Sequence, residues 1–236
     1  PFAIDGTTIS NGKVAVSVDA ATGAIAKLSI DGRELAGEAL APYGFGQYIC
    51  EEIADPAGRG MLWPRREKVA FTRRTLKEIS VDRGLAGPVA ASLIVRGRID
   101  EDHKVACEIT LWRDAPWAEL SYTIRKPRTA APEAVYIAFP FRALPLRAEV
   151  AGGLLEPGRG QIPRSAMDWH VIQDYVLAGE AGGLAAWVSH DAPLVQFNDI
   201  NTGKYLDMLE VAAPAVYSWP INNYWFTNFP AEQGGE

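Results

Sequence analysis

From its first residues the chain alternates apolar and polar positions with a period of two. Val14, Val16 and Val18 share one side of a strand over residues 13–19. Ala21-Thr22-Gly23 then turns the chain, and Ala24, Ala26, Leu28 and Ile30 resume the alternation as far as Asp31-Gly32. Asp-Gly between two alternating runs is a hairpin signal. Residues 36–66 are less regular, punctuated by Pro42, Gly44, Gly46, Pro56, Gly58, Gly60 and Pro64, with a short strand expected at 48–53. An excursion of that length needs a functional or packing role of its own.

The middle of the chain carries the plainest pattern. Strands are expected at 69–74, 76–81, 89–99, 104–112 and 118–124. In two of these the alternation is sustained, through Val89, Ala91, Leu93, Val95, Gly97 and Ile99, and through Val105, Cys107, Ile109 and Leu111. Long strands with one polar face belong to antiparallel sheets packed on one side. Residues 134–141 are instead almost continuously apolar, which fits a strand covered on both faces. Beyond residue 150 the expected strands are shorter: 171–176, 183–189, 194–197, 216–219 and 224–229.

No apolar period of 3.6 residues persists for three turns, and 22 glycines and 16 prolines oppose long helices. The fold class is all-β: two large antiparallel sheets packed face to face, as a single domain over residues 1–236. All-β sandwiches commonly reach this length as one unit, and a chain 48% hydrophobic can build the core one needs.

Charge and composition narrow the partners. A net charge of −6 speaks against nucleic acid or an anionic membrane, and no apolar stretch is long enough for a membrane-spanning helix. No signal peptide is visible before Asp5-Gly6, and no Asn-x-Ser/Thr acceptor occurs; a cytoplasmic, bacterial setting is expected. The first residue is Pro1 rather than Met, which suggests a processed or excised chain. Cys50 and Cys107 are expected as buried free thiols, and His103, His170 and His190 lack metal-ligand spacing, so no metal site is expected.

Candidate chemistry gathers in two stretches. One runs from Glu156 to Leu194 and contains Asp168-Trp169-His170, Gln173-Asp174-Tyr175 and Ser189-His190-Asp191-Ala192-Pro193. The other is Asn222-Asn223-Tyr224-Trp225-Phe226-Thr227-Asn228-Phe229. Large aromatics beside amides and carboxylates suit sugar rings, which offer apolar faces for stacking and hydroxyls for hydrogen bonds. The same chemistry describes half-buried strands and their loop ends. The candidate carbohydrate-binding residues are Asp168, Trp169, His170, His190, Asp191, Asn222, Tyr224 and Asn228, with Trp225 expected in the core. Glycoside hydrolysis needs two carboxyl groups at a set separation. Asp168, Asp174, Glu180, Asp191 and Asp199 are raw material, but nothing in the sequence pairs them.

In chain order, several segments together resemble the C-terminal β-domain of glycoside hydrolase family 38, the α-mannosidase-like enzymes. They are Asn11-Gly12 leading into Val14, Thr22-Gly23-Ala24-Ile25, residues 136–141, Asp168-Trp169 with Gln173-Asp174-Tyr175-Val176, Asp191-Ala192-Pro193-Leu194, and Tyr224-Trp225-Phe226-Thr227-Asn228-Phe229. The resemblance implies a β-supersandwich similar to galactose mutarotase. It also implies that nucleophile, acid/base and zinc lie in an α/β barrel absent from these residues. No catalytic residue and no cofactor are then expected in this chain, and its partners would be that barrel and a mannose-type glycoside. Two other readings are open: a stand-alone carbohydrate-binding module, or an aldose-epimerase-like enzyme drawing on His170 or His190 with Glu156 or Glu180.

Overall fold

The computed structural model describes residues 2–36, 42–54, 69–224 and 233–235, and among them every paired strand is antiparallel and no helix occurs. None of these residues therefore forms a helix long and apolar enough to cross a membrane. The chain opens with a five-stranded meander: β1 (Ala3–Asp5), β2 (Thr8–Ser10), β3 (Val14–Val18), β4 (Ile25–Ile30) and β5 (Arg33–Glu34). Asp31 and Gly32 both adopt positive φ, 47° and 77°, which is what the tight β4–β5 turn demands. Val14, Val16 and Val18 are buried as their alternation implies. Ala26 is not. The register slips between Ser17 and Val18, so Ile25 and Leu28 take the inward positions and Ala26 faces solvent.

β6 (Gln47–Ala54) and β7 (Ala70–Thr75) enter a six-stranded sheet. β8 (Lys77–Ala86), β9 (Ala90–Arg98), β10 (Lys104–Trp112) and β11 (Ala118–Thr129) then form consecutive hairpins in another. Ala91, Leu93 and Val95 of β9 and Val105, Cys107, Ile109 and Leu111 of β10 are buried, so one face of this sheet is core, as the period-two pattern requires. β8 runs five residues past its expected end. Gly84 allows this: a side chain there would collide with the Ser92 hydroxyl, which accepts the Leu85 amide at 2.7 Å and donates to Glu108 at 2.6 Å.

β12 (Glu133–Pro140) returns to the six-stranded sheet between β6 and the later β19, and all eight of its residues are buried. Covered on both faces, it reads as a continuous apolar run. The remaining strands are β13 (Leu146–Val150), β14 (Gly153–Leu155), β15 (His170–Val171), β16 (Tyr175–Ala178), β17 (Ala185–Val188), β18 (Leu194–Phe197), β19 (Ala215–Asn222) and β20 (Gln233–Gly235). The sheet orders are β15-β18-β19-β12-β6-β7, β20-β11-β10-β9-β8 and β14-β13-β16-β17. The expected strand at 171–176 is thus two strands in different sheets. Between them the Ile172 amide bonds to Pro193 and the Gln173 amide to Glu149.

The all-β class and antiparallel pairing hold, with the described strands distributed over four hydrogen-bonded sheets rather than two. All four contribute to one core, where Val16 and Leu28 meet Leu93, Ile109, Val135, Phe139, Leu146 and Val176. Cys50 and Cys107 are free and buried. The expected strand at 224–229 lies outside the described residues apart from Tyr224.

Candidate functional site

The six-stranded sheet buries both faces, and its two faces differ in chemistry. One joins the common core. The other carries a second cluster, in which Tyr136 of β12, Tyr217 and Trp219 of β19, and Tyr224 are at most 2% exposed. Residues two apart share a face, so Ala215, Tyr217 and Trp219 come together here while Val216 goes to the other side. Trp219 is the hub. It stacks on Tyr136 at a centroid separation of 5.5 Å, with Trp169 at 6.3 Å and Tyr224 at 6.4 Å. Tyr43 meets Tyr217 edge-on at 6.5 Å, and Phe71 meets Tyr224 at 6.4 Å.

Polar side chains are threaded through this aromatic layer. Glu51, opposite Arg73 in the β6–β7 register, has no exposed side-chain surface. It accepts the Arg73 Nε–H at 2.6 Å and the Tyr224 hydroxyl at 2.8 Å. Gln196, fully buried on β18, accepts the backbone amides of Asn201 and Thr202 and donates to the Thr202 hydroxyl, which also bonds the Tyr136 hydroxyl at 3.2 Å. Lys204 reaches Asp199 at 2.6 Å and Asn201 at 2.9 Å from the same loop.

Two polar atoms at the centre are left over: the Tyr217 hydroxyl and the Trp219 indole N–H are buried with no hydrogen-bond partner among the described residues. Burial first, then the nearby Asp199 carboxylate, hold the Tyr217 phenol well above its usual range, so it remains a neutral donor. An unmet buried donor costs about 1–3 kcal/mol.

The candidate residues named from sequence fall in several places. Trp169 and Tyr224 both touch Trp219, Trp169 half-buried and Tyr224 wholly buried. Asp168 is 4% exposed, and its two oxygens accept the Tyr205 and Leu206 amides, each at 2.9 Å; it holds the loop that presents Thr202 and Lys204. His170 lies on the core side, its ring 5.2 Å from Phe197 and Nε2 within 3.2 Å of the Gln161 amide group. Burial pushes its pKa down to about 4, so near neutral pH it is uncharged. His190 and Asp191 are exposed on the turn joining β17 and β18. Asn222, half-buried at the end of β19, accepts the Tyr224 amide at 3.1 Å. Asn228 and Trp225 lie outside the described residues.

The structure adds Glu51, Arg73, Gln196, Tyr217 and Trp219, which the two sequence stretches do not contain. For Glu51 and Gln196 the signal was a polar residue interrupting a buried run of a strand.

Three of the five carboxylates considered for hydrolysis are engaged by other groups. Asp168 binds backbone amides, Asp199 binds Lys204 and Glu180 lies 3.5 Å from Arg147, while Asp174 and Asp191 are exposed on adjoining turns joined by the Ser189 amide on the Asp174 carbonyl. A different acidic cluster, Cys50, Glu52 and Glu133, brings three potential ligand atoms within 4.8 Å of one another. Lys126 is ion-paired to Glu133 and Arg74 to Glu52, and burial with the two carboxylates pushes the Cys50 thiol up to about 12. Two cations already balance the two carboxylates and the sulfur stays protonated, so the group is an ion-pair cluster tying β6, β7, β11 and β12 together.

Fold and site together define an all-β fold with one aromatic, hydrogen-bonding face. No family model and no curated protein matches the chain. A solved structure does: a protein in the glycosyl hydrolase family 38 from Enterococcus faecalis, at a TM-score of 0.56 and 10% sequence identity. The alignment covers 94% of this chain and 27% of that one, so this chain spans about a quarter of the length of its structural neighbour. At that identity the likeness is one of fold.

Proposed function

We propose that this chain is a non-catalytic β-domain of an α-mannosidase-like glycoside hydrolase, arranged as a β-supersandwich similar to galactose mutarotase. In this reading its aromatic face supports a mannose-type glycoside bound against a separate catalytic barrel. The barrel carries the nucleophile, the acid/base and the zinc, and the parent protein works in a bacterial cytoplasm. The observation that carries the reading is the fold likeness over 94% of the chain. Two features support it. Trp169 is half-buried at the margin of a buried aromatic layer threaded with amide and carboxylate groups, and a partly exposed indole suits stacking on a sugar ring. Three carboxylates that hydrolysis could have drawn on, Asp168, Glu180 and Asp199, are committed to backbone amides or cations.

In the proposed roles, Trp169 is the half-buried platform at the margin of the face, Lys204 and Asp199 offer polar contacts beside it, and the buried Tyr136–Trp219 stack fixes the platform's position. The test uses the purified chain with methyl α-mannoside and an α-linked mannobiose. Binding followed by calorimetry should saturate in the millimolar range, weaken several-fold in Trp169→Ala, and persist in His190→Ala. Turnover of an aryl α-mannoside that survives repurification would overturn the non-catalytic reading. Anomer interconversion of a free aldose would replace it with the epimerase-like one, and absence of any saccharide binding would remove the role of the face.

A further inference from the structure

A groove of about 680 Å³ opens where the tips of the β8–β9 and β10–β11 hairpins meet the N-terminal strands. Its apolar lining comes from Phe2 and Ile4 on one side and from Ala86, Pro88 and the buried Ala91 on the other. Arg83 and Arg113 enter it from the two hairpins.

Like Arg33, Arg125, Arg128 and Arg142, these two arginines form no ion pair among the described residues, but they are the two that share one groove. The net charge is −6, and carboxylates are within reach of most arginines nearby: Arg96 is paired with Asp82 at 2.8 Å and Arg98 with Glu78. Asp82, next to Arg83, is therefore already taken. Arg83 has only the Ile4 carbonyl at 3.5 Å, and among the described residues no carboxylate lies within ion-pair distance of either Arg83 or Arg113. Lys13 stands at the rim, its ammonium bonded to the Asp114 carbonyl at 2.9 Å. Among the lining residues two cations thus face one carboxylate, that of Asp114, in a molecule otherwise acidic.

The groove is also held in shape before anything enters it. Asn11 donates to the carbonyls of Trp112 at 2.7 Å and Ala115 at 2.9 Å, clamping the β10–β11 turn to the N-terminal sheet. The Arg113 amide bonds to the Val89 carbonyl at 2.8 Å, which locks the two hairpin tips together. Asp114 sits at a φ of 61°, a left-handed conformation that persists because its neighbours fix it. A rigid rim with two unpaired guanidiniums over an apolar floor is suited to a charged head on an apolar body, because little ordering is left to pay on binding.

We propose that this groove binds a small organic oxyanion, a carboxylate or phosphate monoester carried on an apolar group, with Arg83 and Arg113 on the anion and the Phe2–Ile4 and Pro88–Ala91 surfaces on its body. The inference is independent of the aromatic face and of the glycosidase reading. It is tested by titrating the isotopically labelled chain with phenyl phosphate and with benzoate, following backbone amide resonances. Benzyl alcohol and inorganic phosphate serve as probes of the apolar body alone and the charge alone.

Both aromatic anions should saturate the amides of Ile4, Gly87 and Ala91, and the tighter of the two names the preferred oxyanion. Each control should bind at least about tenfold more weakly. Arg83→Gln/Arg113→Gln should weaken the aromatic anions by about tenfold or more while leaving the unfolding midpoint unmoved, since both side chains are exposed. Equal binding of benzyl alcohol, equal binding of inorganic phosphate, no saturable change at the groove, or an unaffected double variant would each overturn the proposal.

Discussion

Two buried histidines give the fold an acid sensitivity that can be worked out in advance. His103 is 3% exposed in the β9–β10 turn, with Nε2 2.8 Å from the Tyr48 hydroxyl; His170 is 7% exposed against Phe197. Burial, aided at His103 by the nearby Lys126 ammonium, lowers each pKa to about 4. In the unfolded chain each titrates near 6.5. Between about pH 6.5 and 4 the unfolded chain therefore takes up protons that the folded chain refuses, so stability is greatest above 6.5 and falls as pH drops through this window. At about pH 4.5 the deficit is roughly 2–3 kcal/mol per histidine, or about 5 kcal/mol for both. That is a large fraction of the 5–15 kcal/mol typical of a whole domain. Asp19 and Asp100, whose hydrogen bonds hold their pKa values below the aspartate norm, lose stabilisation only at still lower pH. The assay is urea unfolding followed by tryptophan fluorescence, at pH 7 and 4.5, on the native chain and on His103→Gln/His170→Gln. Glutamine keeps a hydrogen-bonding amide and removes the titration. The double variant should lose about 5 kcal/mol less than the native chain over this interval. An equal loss in both proteins would refute the assignment of the acid sensitivity to these histidines.

Two further outcomes test the reading of individual side chains. Asp168→Ala removes the acceptor of two loop amides and should cost about 2–4 kcal/mol in chemical unfolding, whereas His190→Ala, on an exposed turn, should stay within about 0.5 kcal/mol; the opposite order would mean that Asp168 does not hold the 201–206 loop. Arg73→Met should strand the Glu51 carboxylate in the aromatic layer and destabilise by about 3–5 kcal/mol, with Arg73→Met/Glu51→Gln recovering part of the loss; a neutral Arg73→Met would show that Glu51 is balanced by other groups.

Local pattern was enough for the strands that bury one face. Alternation from Ala91 to Val95 and from Val105 to Leu111 specified both the strands and which side of each is core, because in a pleated strand a one-residue shift would reverse every side chain. Asp31-Gly32 specified a tight turn, because both positions there need positive φ. The continuous apolar run of β12 announced a strand covered on both sides. Other features depended on partners distant in sequence. Ala26 was turned to solvent by a bulge whose cause is the pairing of β3 with β4. The run from His170 to Val176 was divided because β18 captures its first two residues, while β13 and β17 capture those from Tyr175 onward. The site was least legible of all. Tyr224 and Asp168 have the residue chemistry of a binding rim, yet one is enclosed with Glu51 and Trp219 and the other is spent on the Tyr205 and Leu206 amides. Residue type states what a side chain can do; only the packing of six strands decided which groups were covered, which were paired, and which were left with an unused hydrogen bond.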